Sequence, residues 1–572
     1  MTGEGAPAVA RPWVQHYDPG VPAEVEILNV RIPELVEASV RSVPDRKALI
    51  FYGASWTFRR LWEESGRFAA GLARLGVSAG ARVALYLPNS PAYPIAYLGT
   101  LRLGATVVQV SPLYLGDDLV TLLRDARPKA VVALDIHATQ LIRGSRECPT
   151  PLTIVAPLRD FYPRLPRIFV NRVLHRHGFS TGIPAEPNVH SWASVMRSGP
   201  GREVAASSGS PEDVAVLQYT GGTTGVPKAA MLTHRNLVAN VVQCRAWYGS
   251  SGGAGPEIIL AVVPFFHIYG LTVVLNYALL KGGTVVLQLR PDTKETLKLI
   301  QRYRATHLPG VPALYGALAQ HPEARSFNLR SVKLCASGSA PLPVEIQKRF
   351  EELTGARVVE GYGLSETSPV THSNPLVGTR RIGSIGIPFP STDQKVVDLV
   401  TGSRECPVGE EGELVVRGPQ VMLGYLNQPG ETSQTLRDGW FYTGDIARLD
   451  ADGFAYIVDR KKDVINVGGF KVWPREVEEV LFQHPAVAEV AVIGVPDPTL
   501  GEVPFAYVVK KSGASVTADE LIEFVRGRLA HYKAPRGVEF RESLPRSGVQ
   551  KVLRRVLRES AGAAAAATAP AR

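Results

Sequence analysis

The stretch YTGGTTGVPKAAMLTHRN, which runs from Tyr219 to Asn236, carries the strongest local signal in the sequence and follows the strand-like run VAVLQ. Its glycines let the backbone approach a polyphosphate, its threonine hydroxyls can donate hydrogen bonds, and Lys228 adds a positive charge. Lys228 follows Val226 and Pro227 instead of Gly, so the stretch is not the GxxxxGKS or GxxxxGKT loop of P-loop nucleotide hydrolases. A Gly/Thr turn alone is more often structural, so the stretch indicates a phosphate loop only together with other motifs.

On both sides of this stretch the sequence alternates between helix and strand patterns. Thr57 can cap a helix whose apolar stripe ends before Gly76. The runs RVALYL, TVVQV and KAVVALD, between Arg82 and Asp135, are typical of buried parallel strands. The alternation predicts the α/β fold class, with a large, multi-layered N-terminal domain of mostly parallel sheets and a small, mobile α+β C-terminal domain.

A charged run, Asp459–Asp463, marks the change between the two predicted domains. Beyond it the patterns predict helices near Pro474–His484 and Asp519–Leu529, with strands at VAEVAVIGV and PFAYVVKK. The alanine-rich C-terminus has no apolar periodicity to bury, which predicts disorder. The predicted domains are therefore 1–461 and 462–560, with a disordered tail at 561–572.

One apolar segment, Ile258–Leu280, contains no Asp, Glu, Lys or Arg and has the hydropathy of a transmembrane helix. Pro264 would break such a helix, and His267 and Asn276 would lie in hydrocarbon. We therefore interpret the segment as a buried strand, a loop and a helix, followed by the strand TVVL.

The composition is that of a globular protein, because 45% of the 572 residues are hydrophobic and 20% are charged. Lys and Arg number 63 against 53 Asp and Glu, and the net charge of +10 suits anionic substrates or a lipid surface but is too dilute to indicate nucleic-acid binding. The four cysteines are too widely spaced for metal knuckles and too few for a disulfide framework. The N-terminus lacks the basic start and apolar core of a signal peptide, so we predict a cytoplasmic protein. From the dilute positive charge we predict no nucleic-acid partner.

The segment Phe161–His190 mixes arginines and histidines with apolar residues. Such a composition can attract anionic lipid headgroups while apolar side chains insert into the membrane. A solvated basic face over ordinary packing fits the composition equally well. Peripheral attachment to the inner face of the membrane is therefore one of two open interpretations.

Four further blocks follow the order found in the adenylate-forming, AMP-binding superfamily, whose phosphate loop the Tyr219–Asn236 stretch resembles. PFFHIYG, at Pro264–Gly270, resembles the acyl-pocket motif of that superfamily. SGSAPLP, at Ser337–Pro343, and EGYGLSET, at Glu360–Thr367, resemble its adenine and magnesium motifs. The segment Tyr442–Glu478 resembles its ribose, hinge and glycine-loop block. The resemblance covers nearly the whole chain and is closest to the long-chain fatty acid CoA ligases among the acyl-CoA synthetases.

This resemblance implies an ATP- and AMP-binding site. Asp445 would accept hydrogen bonds from both ribose hydroxyls, Tyr362 would offer its ring to adenine, and Arg460 would meet ribose and phosphate. The full set that the resemblance implies is Thr220, Gly221, Gly222, Thr223, Thr224, Gly225, Lys228, Gly338, Ser339, Ala340, Glu360, Gly361, Tyr362, Gly363, Ser365, Asp445, Ile457 and Arg460.

The resemblance also implies the catalytic residues Thr220, Lys228, Glu366 and Lys551. Glu366 would ligate Mg²⁺, a hard cation that prefers carboxylate and phosphate oxygens. Lys551 would bridge the substrate carboxylate and the α-phosphate. Many relatives carry Ser-Gly directly before this lysine, whereas Val549 and Gln550 intervene here, so the loop is expected to differ in shape.

Three further sets of residues are implied by the same resemblance. His267, Tyr269, Gly270 and Leu271 would line the acyl-binding pocket. Gly468, Gly469 and Phe470 would line the channel for coenzyme A, and Lys462 would be the hinge about which the C-terminal domain rotates between two half-reactions.

The implied function is Mg²⁺- and ATP-dependent activation of a long-chain fatty acid to an acyl-adenylate, followed by transfer to coenzyme A, in lipid metabolism. The expected cofactor is Mg²⁺, and the expected substrates are ATP, a long-chain fatty acid and coenzyme A. Two alternatives stay open: a fatty acyl-AMP ligase that loads a separate acyl carrier protein, and a CoA ligase for a shorter or aryl carboxylate. A homodimer also stays open.

Overall fold

The computed structural model describes residues 11–145, 152–176, 178–197, 209–220, 228–249, 256–546 and 552–568. The chain forms two compact units, one of Met1–Asp393 with Arg417–Phe441 and the other of Gln394–Val416 with Tyr442–Arg572. This division by packing differs from the predicted domain boundary at Lys462. That boundary was inferred as a hinge, and it stays a prediction.

The first unit is built on an eight-stranded sheet in which five neighbouring strand pairs are parallel and two are antiparallel. All five residues of Ala130–Leu134 are buried, as expected for a parallel strand that is covered on both faces. The mostly parallel sheet confirms the predicted α/β class. The strands, in spatial order, are Gly424–Tyr425, Lys228–Thr233, Val214–Thr220, Thr106–Gln109, Arg82–Tyr86, Ala130–Leu134, Leu152–Ala156 and Val189–Ser191.

The first unit also contains two four-stranded sheets. His307 forms parallel bridges to Ile259 and to Leu334, and so joins the two sheets. The first sheet has the order Ile258–Ala261, Thr284–Leu287, Lys47–Phe51 and Ala54–Thr57, and the second has the order Leu334–Ser337, Arg357–Gly363, Val370–Ser373 and Ile387–Pro388.

The helices of the first unit pack their apolar stripes onto these sheets. As predicted, the Thr57 hydroxyl caps a helix by accepting a hydrogen bond of 3.1 Å from the Arg60 N–H. The α-helices are Ile32–Ser42, Phe58–Arg74, Ala92–Arg102, Gly116–Ala126, Asp135–Ser145, Arg164–Arg176, Trp192–Met196, His234–Tyr248, Tyr277–Lys281, Thr293–Tyr303, Pro312–Gln320, Val344–Thr354 and Pro429–Thr435.

The apolar segment after Glu257 folds as predicted. A strand, Ile258–Ala261, leads through a loop into a π-helix, Gly270–Asn276, that continues as the α-helix Tyr277–Lys281. The helix ends at Gly282, whose left-handed backbone allows the chain to turn into the parallel strand Thr284–Leu287. Among the described residues, no helix combines the length and the apolar character needed to cross a membrane.

The later strands form two five-stranded sheets. In the one next to the C-terminus, Gly501–Lys510 pairs antiparallel with Val487–Asp497 and parallel with Gly537–Phe540. Asp393–Val397, Gly412–Arg417, Trp440–Leu449, Leu436–Arg437 and Ala455–Arg460 form the other sheet, and Phe470–Val472, Ile465–Val467, Gly501–Lys510, Val487–Asp497 and Gly537–Phe540 form the C-terminal one. The accompanying helices are Pro474–Phe482, Ala518–Arg526 and Arg554–Thr568.

The last of these helices reaches into the predicted tail, since it continues through Ala561 to Thr568. The predicted tail boundary at residue 561 stays a prediction. Alanine has the highest intrinsic helix propensity, so the alanine run can extend an existing helix without an apolar face to bury.

Candidate functional site

The predicted phosphate loop is closed at its base by two neighbouring strands. Thr220 ends one strand and Lys228 begins the next, and the two residues face each other in the antiparallel pair. The Thr220 hydroxyl donates a hydrogen bond of 3.3 Å to the Lys228 carbonyl. Both ends of the loop are thus fixed by the sheet. The loop glycines and threonines, Gly221, Gly222, Thr223, Thr224 and Gly225, lie outside the described residues.

A polar cluster in the first unit brings Lys228 close to Glu366. The Lys228 ammonium lies 2.5 Å from a carboxylate oxygen of Glu431 and 5.7 Å from the ring centre of Tyr425. The Tyr425 hydroxyl donates a hydrogen bond of 2.8 Å to Glu366 Oε1. Burial and the charge of Glu366 raise the pKa of Tyr425, so its hydroxyl stays protonated and remains a donor.

Glu366 lies on a short 3₁₀-helix, Ser365–Thr367, directly after the strand Arg357–Gly363. Mg²⁺ in nucleotide sites is commonly held by one or two carboxylates together with substrate phosphates. The Glu366 carboxylate, which shares the neighbour Tyr425 with Lys228, therefore fits a Mg²⁺ that arrives with ATP. In the described part of the chain, no three His, Cys, Asp or Glu side chains cluster into a site that could hold a metal by themselves.

The predicted adenine residues lie at one edge of a parallel strand pair. Ser337, the last residue of Leu334–Ser337, faces Glu360 in the middle of the longer strand Arg357–Gly363. Gly338, Ser339 and Ala340 therefore leave the sheet beside the last three residues of that strand, Gly361, Tyr362 and Gly363. The Asn374 N–H donates a hydrogen bond of 3.0 Å to the Glu360 carbonyl and steadies this edge. Ligands of open α/β sheets bind outside the carboxyl ends of the strands, which is where these residues lie.

The predicted acyl-pocket residues reach the same edge. Tyr269 is buried, and its hydroxyl donates a hydrogen bond of 2.5 Å to the Ala336 carbonyl. A Cβ atom built on Gly338 would lie 3.5 Å from the Tyr269 ring, so the acyl motif and the adenine motif are neighbours. The Tyr269 N–H donates a hydrogen bond of 3.2 Å to His267 Nδ1, and the buried Leu271 follows Gly270 in the π-helix.

The second unit brings Asp445 and Arg460 together. They face each other in the antiparallel strand pair Trp440–Leu449 and Ala455–Arg460, and Arg460 Nε lies 3.4 Å from Asp445 Oδ1. Asp445 is buried, and Ile457 lies on the same strand as Arg460. The pair thus offers a carboxylate and a guanidinium from one hairpin.

Lys462 lies in an exposed turn between Asp459 and Asp463. Both carboxylates pair with Arg554, the first residue of the C-terminal helix. Arg554 lies 3.7 Å from Asp459 and 3.3 Å from Asp463, and it donates two hydrogen bonds of 2.7 Å to Glu478. Burial raises the pKa of Asp459, whereas the arginine charges lower that of Asp463 against the opposing effect of its burial. This network anchors the segment after Lys551 to the predicted hinge, although Lys551 itself lies outside the described residues.

The predicted coenzyme A residues form the tip of a hairpin. Gly468 and Gly469 have φ angles of 56° and 90°, the left-handed conformation that a two-residue hairpin turn requires and glycine adopts without strain. Phe470 is 59% exposed and stacks on Tyr532, with ring centres 4.8 Å apart. A cavity of about 340 Å³ lies beside this pair, and its lining includes Gly468, Phe470, Arg526, His531, Tyr532 and Arg536.

Sequence reasoning did not identify Tyr425 and Glu431. Both follow the strand Gly412–Arg417 in the run GYLNQPGET, which has no recognisable catalytic pattern. Only their contacts with Lys228 and Glu366 reveal them, and these contacts join residues that are 203 and 59 positions apart.

Comparisons with known proteins identify the family of the chain. The model of the AMP-binding enzyme family matches residues 36–426, and that of the AMP-binding enzyme C-terminal domain matches 476–551. The chain is 43% identical to a long-chain-fatty-acid–CoA ligase of Bacillus subtilis over 96% of this chain and 98% of the relative. ATP-bound MatB from Rhodopseudomonas palustris superposes with a TM-score of 0.80 at 30% identity, over 93% of this chain and 99% of that one. The anthranilate CoA ligase AuaEII with anthranoyl-AMP superposes with a TM-score of 0.82 at 26% identity, over 95% and 99%. The chain therefore belongs to the AMP-binding enzyme family.

Proposed function

We propose that this protein joins a long-chain fatty acid to coenzyme A in two steps, with an acyl-adenylate as the intermediate. The products are acyl-CoA, AMP and pyrophosphate. The observation that carries the proposal is the cluster in which Tyr425 lies next to both Lys228 and Glu366, at the end of the strand that presents Tyr362. It supplies the cation and the metal-binding carboxylate that activation by ATP needs.

In the first step, an oxygen of the fatty-acid carboxylate attacks the α-phosphorus of ATP, and the bond to pyrophosphate breaks. The protein supplies positioning and positive charge instead of a covalent intermediate. Lys228 and Lys551 are proposed to neutralise the phosphate charge, with Thr220 as a hydroxyl donor. Bound Mg²⁺, held by Glu366, would stabilise the negative charge of the phosphates.

The remaining nucleotide contacts are proposed to come from the motifs described above. Tyr362 and the small residues Gly338, Ser339 and Ala340 would receive adenine, and Asp445 would accept hydrogen bonds from the ribose hydroxyls. Arg460 would contact the ribose and the phosphate. Lys462 would be the hinge about which the C-terminal domain rotates between the two steps. These roles rest on the family motifs, and the geometry within each unit supports them.

In the second step, the thiol of coenzyme A attacks the acyl carbon and releases AMP. Coenzyme A carries several phosphate groups and an adenine ring. The cavity beside Gly468 and Phe470 combines two arginines, Arg526 and Arg536, with two stacked aromatic rings. Guanidinium groups suit phosphate, and exposed aromatic faces suit adenine, so this cavity is proposed to bind coenzyme A.

A long-chain fatty acid is proposed because the acyl motif leads into a buried apolar helix. Apart from Thr272 and Asn276, the π-helix Gly270–Asn276 consists of glycine and aliphatic residues. Each buried CH₂ group contributes about 0.8 kcal/mol, which favours longer chains. The name of the Bacillus subtilis relative supports this choice, and the alternative of an aryl carboxylate is not favoured.

The helix Arg164–Arg176 is proposed to attach the protein peripherally to anionic membranes. Phe169, Arg172, Val173 and Arg176 are spaced as neighbours on one helix face, and all four are exposed. Phe169 is 58% exposed and Val173 is 49% exposed. A face that combines apolar side chains with arginines suits the headgroup boundary of a membrane, where the substrate fatty acid dissolves.

AMP release from ATP, Mg²⁺ and palmitate, with and without coenzyme A, tests the main proposal. We expect release that requires coenzyme A, and pyrophosphate exchange that requires the fatty acid alone. Pyrophosphate exchange without any AMP release that depends on coenzyme A would point instead to a ligase that loads a carrier protein. Faster turnover of an aryl acid than of palmitate would contradict the long-chain assignment.

Flotation with vesicles tests the membrane proposal. The wild-type protein should float with vesicles that contain phosphatidylglycerol at low salt, and Phe169→Glu should reduce the floating fraction. Val400→Glu changes a side chain that is 94% exposed on the second unit and is the matched control. Equal flotation of wild type and Phe169→Glu would rule out this helix face. The predicted cytoplasmic location and homodimer stay predictions.

A further inference from the structure

Tyr425 contacts both residues on which the proposed adenylation rests. Its hydroxyl donates a hydrogen bond of 2.8 Å to Glu366 Oε1, and its ring lies 5.7 Å from the Lys228 ammonium. Only 8% of Tyr425 is exposed, so surrounding residues hold the ring in place. A single rigid side chain thus links the cation and the carboxylate of the cluster.

The backbone around Tyr425 is fixed as firmly as its side chain. The Tyr425 N–H donates a hydrogen bond of 2.9 Å to the Thr432 hydroxyl. Three residues earlier, the Met422 N–H donates a hydrogen bond of 2.8 Å to the Glu366 carbonyl. The segment that carries Tyr425 is therefore bonded directly to the backbone of Glu366, so the phenol and the carboxylate keep a defined separation.

We propose that Tyr425 is a positioning residue that orients the Glu366 carboxylate toward the Mg²⁺ of Mg·ATP. The inference rests on the proposed function, in which Glu366 is the metal-binding carboxylate. Carboxylates that bind metals are commonly oriented by a second hydrogen bond, and loss of such a partner typically costs about 10- to 100-fold in metal affinity or activity. A free carboxylate would have to lose rotational freedom each time Mg·ATP binds, and Tyr425 removes that cost in advance.

Calorimetric titration of ATP, in excess Mg²⁺ and in EDTA, tests this role without turnover because no fatty acid is present. The wild type should bind Mg·ATP more tightly than metal-free ATP. Tyr425→Phe keeps the ring but removes the hydroxyl, and it should reduce this preference for Mg²⁺ about tenfold while leaving the Kd in EDTA and the Tm unchanged. In Glu366→Gln the preference should be small, and adding Tyr425→Phe to that variant should change it no further.

Tyr456→Phe is the matched control, because the Tyr456 hydroxyl also donates to a carboxylate, at 3.2 Å from Asp450, but in the second unit. It should bind Mg·ATP as the wild type does. An unchanged Mg²⁺ preference in Tyr425→Phe would overturn the inference, and so would equal weakening with and without Mg²⁺. Failure of the wild type to bind ATP at all would instead contradict the proposed function, so the two failures are distinguishable.

Discussion

The Lys228 ammonium forms an ion pair with the Glu431 carboxylate, at a distance of 2.5 Å. Glu431 lies on the helix Pro429–Thr435, and the pair brings together residues that are 203 positions apart in the chain. Lys228 is the residue for which we propose a phosphate-binding role. An anionic phosphate therefore has to compete with Glu431 for the same cation.

We expect Glu431→Gln to bind ATP and inorganic pyrophosphate more tightly than the wild type. Removing the internal competitor frees Lys228 for phosphate, but Glu431 is 43% exposed as a side chain, so the gain should be modest, about two- to fivefold. Calorimetric titration with pyrophosphate measures the effect. In a Lys228→Ala background the same substitution should have no effect, and an equal gain there would show that Glu431 does not act through Lys228.

The sequence predicted those parts of the protein that depend on local pattern. The Thr57 cap, the buried strand Ala130–Leu134 and the end of a helix at Gly282 all follow from residue type and periodicity. The contacts of Tyr425 and Glu431 do not, because they arise only when a late segment packs beside an early strand pair. No motif in one stretch can encode such a partner, so these residues became visible only in the folded chain.

The alanine-rich residues 561–568 continue a helix that begins upstream. Burial of an apolar face is the usual basis for predicting a helix, and residues 561–568 have none to bury. They are nevertheless helical because they continue the helix that begins at Arg554, where Arg554 is held by Glu478 and Asp463. An anchored first turn removes the cost of nucleation, after which alanine propagates the helix well.

Arg536→Ala should weaken the use of coenzyme A without affecting adenylation. Arg536 lines the cavity beside Phe470, where its guanidinium would meet phosphate. We expect the KM for coenzyme A to rise about tenfold, while pyrophosphate exchange stays as in the wild type. Arg528→Ala is the matched control, since Arg528 stacks on Phe524 and does not line this cavity. Equal losses in both half-reactions would contradict a coenzyme A site there.

The first unit should lose stability as the pH falls from about 6.5 toward 4. Burial lowers the pKa of His234 and of His307 to about 4, with smaller contributions from Arg31 and Lys281 respectively. In that interval the unfolded chain binds protons at these histidines and the folded chain does not, so protonation favours unfolding. Each histidine can contribute up to about 1.4 kcal/mol per pH unit.

Urea unfolding at pH 7.5 and at pH 5 measures this effect. The double variant His234→Gln and His307→Gln should show a smaller loss between the two pH values than the wild type. His175→Gln removes an exposed histidine of the same unit and should leave the loss unchanged. A wild-type stability that is equal at both pH values would contradict the prediction.

Two glycines of the acyl and adenine motifs should respond differently to alanine. A Cβ atom on Gly270 would lie 2.2 Å from the Pro264 carbonyl oxygen, whereas one on Gly338 would meet its nearest atom, in the Tyr269 ring, at 3.5 Å. The first contact is with backbone, which cannot rotate away, so Gly270→Ala should displace the turn that leads into the π-helix and lower the free energy of unfolding by about 1–3 kcal/mol. Gly338→Ala makes only an ordinary van der Waals contact and should unfold as the wild type does. Urea unfolding of the two variants side by side decides the matter, because equal stability would mean that the close approach at Gly270 does not constrain the acyl motif.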